Sequence, residues 1–139
     1  MTPFVLDASV ALSWILDNPV PAIAIRVQQA LIAKSRAVIP ALWHLEIANA
    51  LVVAERRKLL TASDGNAALL QLENLSAQAL EVESEVEFMR HAWETARAYD
   101  LSAYDSVYLN LAIRKKLPLA TLDTSLRRAA AKAGVELLR

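Results

Sequence analysis

The sequence predicts an α/β fold, a parallel sheet covered by helices on both faces. Three observations lead there. The chain has 139 residues, of which 55% are apolar, enough for one compact domain spanning residues 1–139 and too greasy for disorder. Alanine and leucine dominate the composition and favour helix, so strands must be few and short. Strand-like segments alternate with helical ones without tandem hairpins, the pattern of a parallel sheet with both faces covered.

Phe4-Val5-Leu6 is β-prone and ends at Asp7. Val10, Ala11, Trp14 and Ile15 then recur at helical spacing. After Pro19 and Pro21 an amphipathic helix runs from about Ala22 to Lys34, and Ala37-Val38-Ile39 reads as a strand stopped by Pro40. The segment from Ala41 to Lys58 is a long helix closed by Arg56-Arg57-Lys58, where cations suit the C-terminal dipole. Ser63 or Asp64 caps a helix continuing to about Asn74. Leu80 to Glu83 alternates like a strand, and helices follow from about Glu85 to Tyr99 and from Tyr104 to Lys115. Leu117 to Leu122 supplies a fourth strand and Thr124 to Ala133 a helix. Gly134 stops that helix, and Val135 to Leu138 forms a fifth strand.

Composition removes several classes of function. Fifteen basic residues balance fifteen acidic ones, so a nucleic-acid partner must be met by a local patch and not by global charge. The longest stretches without Asp, Glu, Lys or Arg, Ala8 to Leu16 and Ala37 to Leu45, fall short of the roughly 20 residues of a membrane span. No basic region precedes an apolar block at the N-terminus, and a cytoplasmic protein without membrane partners is expected. Without cysteine there is no disulfide framework, thiolate zinc site or cysteine nucleophile. Two glycines, Gly65 and Gly134, cannot build a phosphate-cradling loop.

Ligands of open parallel sheets bind beyond the carboxyl ends of the strands. Asp7 closes the first strand and Asp123 the fourth. Glu46 lies on the helical stripe Leu42, Glu46, Asn49, Val53, and Asp105 begins a face continuing through Tyr108, Leu109 and Ala112. A carboxylate on an apolar stripe is expensive unless something pairs with it. Each acid also has a structural alternative. Asp7 or Ser9 could cap the first helix, Asp123 the last, Ser102 to Asp105 fits a capping box, and Glu46 could snorkel or pair with a lysine. His44 and His91 lack a partner ligand at i+4 and read as structural.

Four acids from four segments converge only if the sheet brings the ends of strands one and four together beside the third and sixth helices. Four mutually repelling carboxylates raise one another's pKa values unless a cation sits among them. With oxygen ligands alone the ion is hard, Mg²⁺ or Mn²⁺. Substrate phosphate is the usual further ligand of such an ion, which points to phosphoryl transfer to water.

The segments Val5-Leu6-Asp7-Ala8-Ser9, Glu46-Ile47-Ala48-Asn49-Ala50-Leu51, Tyr104-Asp105-Ser106-Val107-Tyr108-Leu109 and Thr121-Leu122-Asp123-Thr124-Ser125-Leu126 resemble the ordered motifs of PIN-domain ribonucleases, above all the toxins of VapBC-type toxin–antitoxin pairs. Each motif alone is weak, but the four in this order cover essentially the whole chain, and none departs from the family pattern. The resemblance implies a parallel five-stranded sheet flanked by helices and a Mg²⁺- or Mn²⁺-dependent endoribonuclease that inhibits translation and is held inactive by a cognate antitoxin. By that resemblance Asp7 and Asp105 would be the principal metal ligands. Glu46 would complete the set or orient a water, and Asp123 would bind a second ion or a water. Ser9 and Thr121 would donate hydrogen bonds to these carboxylates. The chemistry implied is in-line attack of cation-activated water on an RNA phosphodiester.

From Leu111 onward basic residues prevail, while Glu73 to Asp100 is acidic. A basic rim of Arg114, Lys115, Lys116, Arg127 and Arg128 would track RNA phosphates, with a solvated helix face as the alternative. Surplus apolar helix surface near Val20 to Leu31 and Leu69 to Leu75, with the family resemblance, implies a homodimer and an antitoxin groove with Trp14 and Trp43 as anchors. A catalytically silent PIN-like binding module is the main alternative. A receiver domain would need an adjacent acidic pair after the first strand, and a haloacid-dehalogenase-type phosphatase would need D-x-D where Asp7-Ala8-Ser9 stands.

Overall fold

The computed structural model describes residues 2–139. In chain order the elements are β1 (Phe4–Leu6), α1 (Ala8–Leu16), α2 (Ala22–Ile32), β2 (Ala37–Ile39), α3 (Leu42–Arg56), α4 (Ala62–Ala79), β3 (Leu80–Val82), α5 (Met89–Tyr99), α6 (Ala103–Lys115), β4 (Leu119–Ala120) and α7 (Thr124–Ala133). The sheet order is β3-β2-β1-β4 with every pairing parallel. Val5 is the hinge of the register, facing Val38 on one side and Leu119 on the other.

All residues of β1, β2 and β4 are buried, as strands sandwiched between helical layers must be. Crossovers from β1 to β2 and from β2 to β3 step one way across the sheet, and the crossover from β3 returns past β1 to β4. Right-handed connections therefore send α1–α4 to one face and α5–α7 to the other. The packing agrees: α1 meets α2 and α3, α4 meets α2 and α3, and α6 meets α5, α7, β1 and β4. Phe4, Leu6, Ile39, Trp43, Tyr108, Leu109 and Leu119 fill the core. Among the described residues no helix is long and apolar enough to cross a membrane.

The expected five-stranded sheet is corrected to four strands. The segment Val135 to Leu138 makes only a parallel bridge, Leu119 to Leu137, through Leu119 N–H to Glu136 O at 2.9 Å and Leu138 N–H to Leu119 O at 3.0 Å. The fourth strand is itself two residues long, so it offers too short a template for a longer partner. Other boundaries moved for identifiable reasons. Thr61, not Ser63 or Asp64, caps α4, and Asp64 returns the bond to the Thr61 N–H in a full capping box. The chain from Glu83 to Phe88 is not helical. Its carboxylates are drawn to Arg114, which contacts Glu83, Glu85 and Glu87, and to Lys115, which contacts Glu83. Gly134 stops α7 at φ 74° as expected. With so few glycines, Lys34, Lys58, Asp100 and Lys116 take the other left-handed positions.

Candidate active site

The order of strands reverses direction at β1, so the carboxyl ends of β1 and β4 flank a crevice. Asp7 is the first residue beyond β1, and its N–H donates to Ala120 O at 3.0 Å. This backbone bond aligns it with the exit of β4, from which Thr121 and Asp123 follow. Asp7 is only 4% exposed. Its Oδ2 accepts from Ser9 Oγ and from Thr121 Oγ1, each at 2.7 Å. The two hydroxyls stand 3.4 Å apart, and each is fixed in turn by a backbone donor: Leu122 N–H to Ser9 Oγ and Asp123 N–H to Thr121 Oγ1, both at 3.0 Å. The strand ends thus hold one carboxylate in one orientation.

Glu46 reaches the same edge from α3 and Asp105 from the first turn of α6. The charges of Asp7 and Asp105 act on Glu46, that of Asp7 acts on Asp105, and that of Asp123 acts on both Asp7 and Asp105. Burial, above all, raises the Asp7 carboxyl; the Ser9 and Thr121 hydroxyls oppose it and the Asp123 charge adds to it. Burial also raises Glu46, opposed by a hydrogen bond from Tyr108 and reinforced by Asp7 and Asp105. Asp105 is pushed up to about 6 by burial and by the charges of Asp123 and Asp7.

The capping alternatives divide cleanly. Asp123 does cap α7, its Oδ1 accepting from Leu126 N–H at 2.8 Å. Asp7 occupies the N-cap position of α1 without a side-chain cap bond. At α6 Ser102 Oγ accepts from Asp105 N–H at 3.0 Å, but no return bond from Ser102 N–H to the Asp105 carboxylate completes a box. Helix capping therefore accounts for Asp123 and leaves the carboxylates of Asp7, Glu46 and Asp105 unexplained.

Among the described residues no three His, Cys, Asp or Glu side chains are gathered as a ready cage for an ion. A closed zinc site is thereby a poor fit. The all-oxygen donor set suits Mg²⁺ or Mn²⁺, since Mg²⁺ needs only one or two carboxylates and keeps several waters. Asp7 and Asp105, with raised pKa values and mutual repulsion, are the carboxylates that a cation would relieve most.

This repulsion has a thermodynamic signature. A carboxyl whose pKa is raised on folding contributes stability that is complete below its unfolded value, near 4, and is lost as pH rises through its folded value. For Asp105 the window closes at about 6, and Asp7 and Glu46 act in the same direction. In metal-free protein Asp105→Asn should raise the melting temperature at pH 7.5 and lose that advantage near pH 4. A difference between variant and wild type that is independent of pH would contradict the placement of these charges.

The predicted basic rim is broken up. Arg114 and Lys115 are engaged by the acids of the 83–87 segment, because two stretches read as separate blocks of opposite charge fold against each other. Burial opposes it, yet the Glu85 N–H, Lys115 and Arg114 hold the Glu83 carboxyl below its usual range. Arg127 is half-buried and donates to Thr121 O at 3.1 Å, which puts one guanidinium beside the site. Lys116 and Arg128 are exposed. Trp43, expected as a groove anchor, is instead core at 2% exposure. Trp14 donates its indole N–H to Ala24 O at 2.8 Å and lines a small cavity with Ile32 and Leu75. The most exposed apolar side chains lie elsewhere, at Phe88 and Met89 where α5 begins. At the site itself the sequence did not reveal the contact of Tyr108, whose hydroxyl donates to Glu46; its signal was its place three residues after Asp105 on the same helical face.

Comparison with known proteins sets this geometry in context. No curated protein matches the chain significantly. Among solved structures the chain is similar to PAE2754 from Pyrobaculum aerophilum, with a TM-score of 0.69 and 22% identity over 92% of this chain and 84% of that one. At that identity the likeness concerns the fold. The family model described as PIN domain matches residues 4–132, a span that contains Asp7, Glu46, Asp105 and Asp123, and the fold is one generally used by nucleases. From β1 to α7, then, the chain belongs to the PIN domain family.

Proposed function

We propose that this protein is a Mg²⁺- or Mn²⁺-dependent endoribonuclease, the toxin of a VapBC-type pair that acts in the cytoplasm by cutting RNA. The observation that supports this reading most is the buried Asp7 carboxylate, locked by Ser9 and Thr121 while Glu46, Asp105 and Asp123 press their charges toward the same crevice. A fold gains nothing from concentrating like charge there unless a cation binds. Asp7 and Asp105 would hold the ion, Glu46 would complete the set or orient a water, and Asp123 would orient water from its cap position. When bound, such a cation supplies Lewis acidity, lowering the pKa of water and offsetting charge on the phosphoryl oxygens. Arg127, beside the site, would meet a phosphate next to the scissile one. A homodimer and a cognate antitoxin complete the proposal, with a basic antitoxin side chain competing for the acids by charge neutralisation.

That no three-acid cage stands ready among the described residues favours the second reading, a catalytically silent PIN-like module. Expression without a partner separates the two. Growth arrest is expected, and Asp105→Ala should relieve it at equal protein level, because a half-exposed ligand is lost without emptying the core. Arrest that persists in the variant, or no arrest in the wild type, would support the silent module.

A further inference from the structure

Tyr108 has no part in the roles assigned so far. It lies on α6 one turn after Asp105, its ring is fully buried, and its hydroxyl donates to Glu46 Oε1 at 2.5 Å. Among the described residues this is the only hydrogen bond to the Glu46 side chain, and Glu46 takes part in no ion pair. Glu46 therefore has one tether.

That tether has work to do. A glutamate has three side-chain torsions, and repulsion from Asp7 and Asp105 favours rotamers that swing its carboxylate out to water. A tyrosine has two torsions, and a ring enclosed on all sides fixes its hydroxyl in space. A hydroxyl donating to a carboxylate makes a short, charge-assisted bond. Because that bond falls on Oε1, it leaves Oε2 directed elsewhere. It also ties α3 to the helix that carries Asp105.

We propose that Tyr108 is a positioning residue that holds the Glu46 carboxylate at the cation-binding edge. This rests on the metal-dependent reading above, and the two are separable by experiment. Outer-sphere partners of metal ligands typically contribute about 10–100-fold to affinity or activity. In Tyr108→Phe, which keeps the ring, the affinity for Mn²⁺ alone, measured by calorimetry on metal-free protein well below its melting midpoint, should fall by about that factor. On a single-stranded RNA, kcat should fall in parallel with KM unchanged. In a Glu46→Ala background the same Phe substitution should leave Mn²⁺ affinity unaltered, since the group it positions is gone. A purely structural hydroxyl would instead lower the melting temperature in both backgrounds and leave Mn²⁺ affinity alone, which would overturn the proposal. So would an equal loss of affinity with and without Glu46. If wild-type protein neither binds Mn²⁺ nor cuts RNA, the nuclease reading fails first and this role falls with it.

Discussion

Asp7→Asn is expected to abolish RNA cleavage and, with it, the stabilisation of the protein by Mn²⁺ or Mg²⁺. Asparagine keeps the size of the side chain and an oxygen that can accept from Ser9 and Thr121, so the strand ends stay joined. What disappears is the buried charge. Loss of an outer-sphere partner already costs metal sites about 10–100-fold, and loss of a ligand should exceed that. In wild-type protein a cation at 100 times its dissociation constant should add about 2.7 kcal/mol to stability. In the variant that gain should vanish, while the metal-free protein becomes more stable because a desolvated carboxylate is gone. The opposite signs make the experiment decisive. A variant that melts lower than wild type without metal, yet still gains from Mn²⁺, would show that Asp7 is a structural acid and no ligand.

Trp43→Ala should be the most damaging single change to the fold. The side chain is 2% exposed in the first turn of α3, and removing a buried tryptophan typically costs about 3–5 kcal/mol. Total stabilities are about 5–15 kcal/mol, so the melting temperature should drop by roughly 10–20 °C. Among the described residues its buried indole N–H has no hydrogen-bond partner. Trp43→Phe therefore loses packing volume but also removes an unsatisfied donor, and should cost much less than the alanine change. Equal losses for Phe and Ala in thermal or denaturant melts would mean that the N–H is satisfied after all.

The parts of this molecule that were legible in the sequence are those set by local rules. The helices, their order, and the strands at Phe4 to Leu6 and Ala37 to Ile39 follow from apolar periodicity and from prolines and glycine at the ends. The four acids could be picked out because each sits at a strand exit or on an apolar stripe, where a carboxylate needs a reason. What could not be read was decided by pairs far apart in the chain. Arg114 and Lys115 looked like a phosphate rim until Glu83, Glu85 and Glu87 folded against them. The same attraction delayed the start of α5 to Met89. Trp43 and Trp14 are indistinguishable in composition, and only the packing of α3 against α1 and α4 buries the first more deeply. The fifth strand failed because a strand exists only as far as its neighbour does, and β4 is two residues long.

The bond between Thr121 and Asp7 spans 114 positions of the chain, which has a bearing on when the site can assemble. Translation adds about 5–20 residues per second, so roughly 6–23 s separate the synthesis of the carboxylate from that of the hydroxyl that orients it. Until β4 has emerged and closed onto β1, Asp7 has no second hydroxyl, Asp123 does not exist, and the crevice has one wall. On the nuclease reading proposed above, fragments cut before Thr121 would lack both that hydroxyl and Asp123, and are expected to be inert.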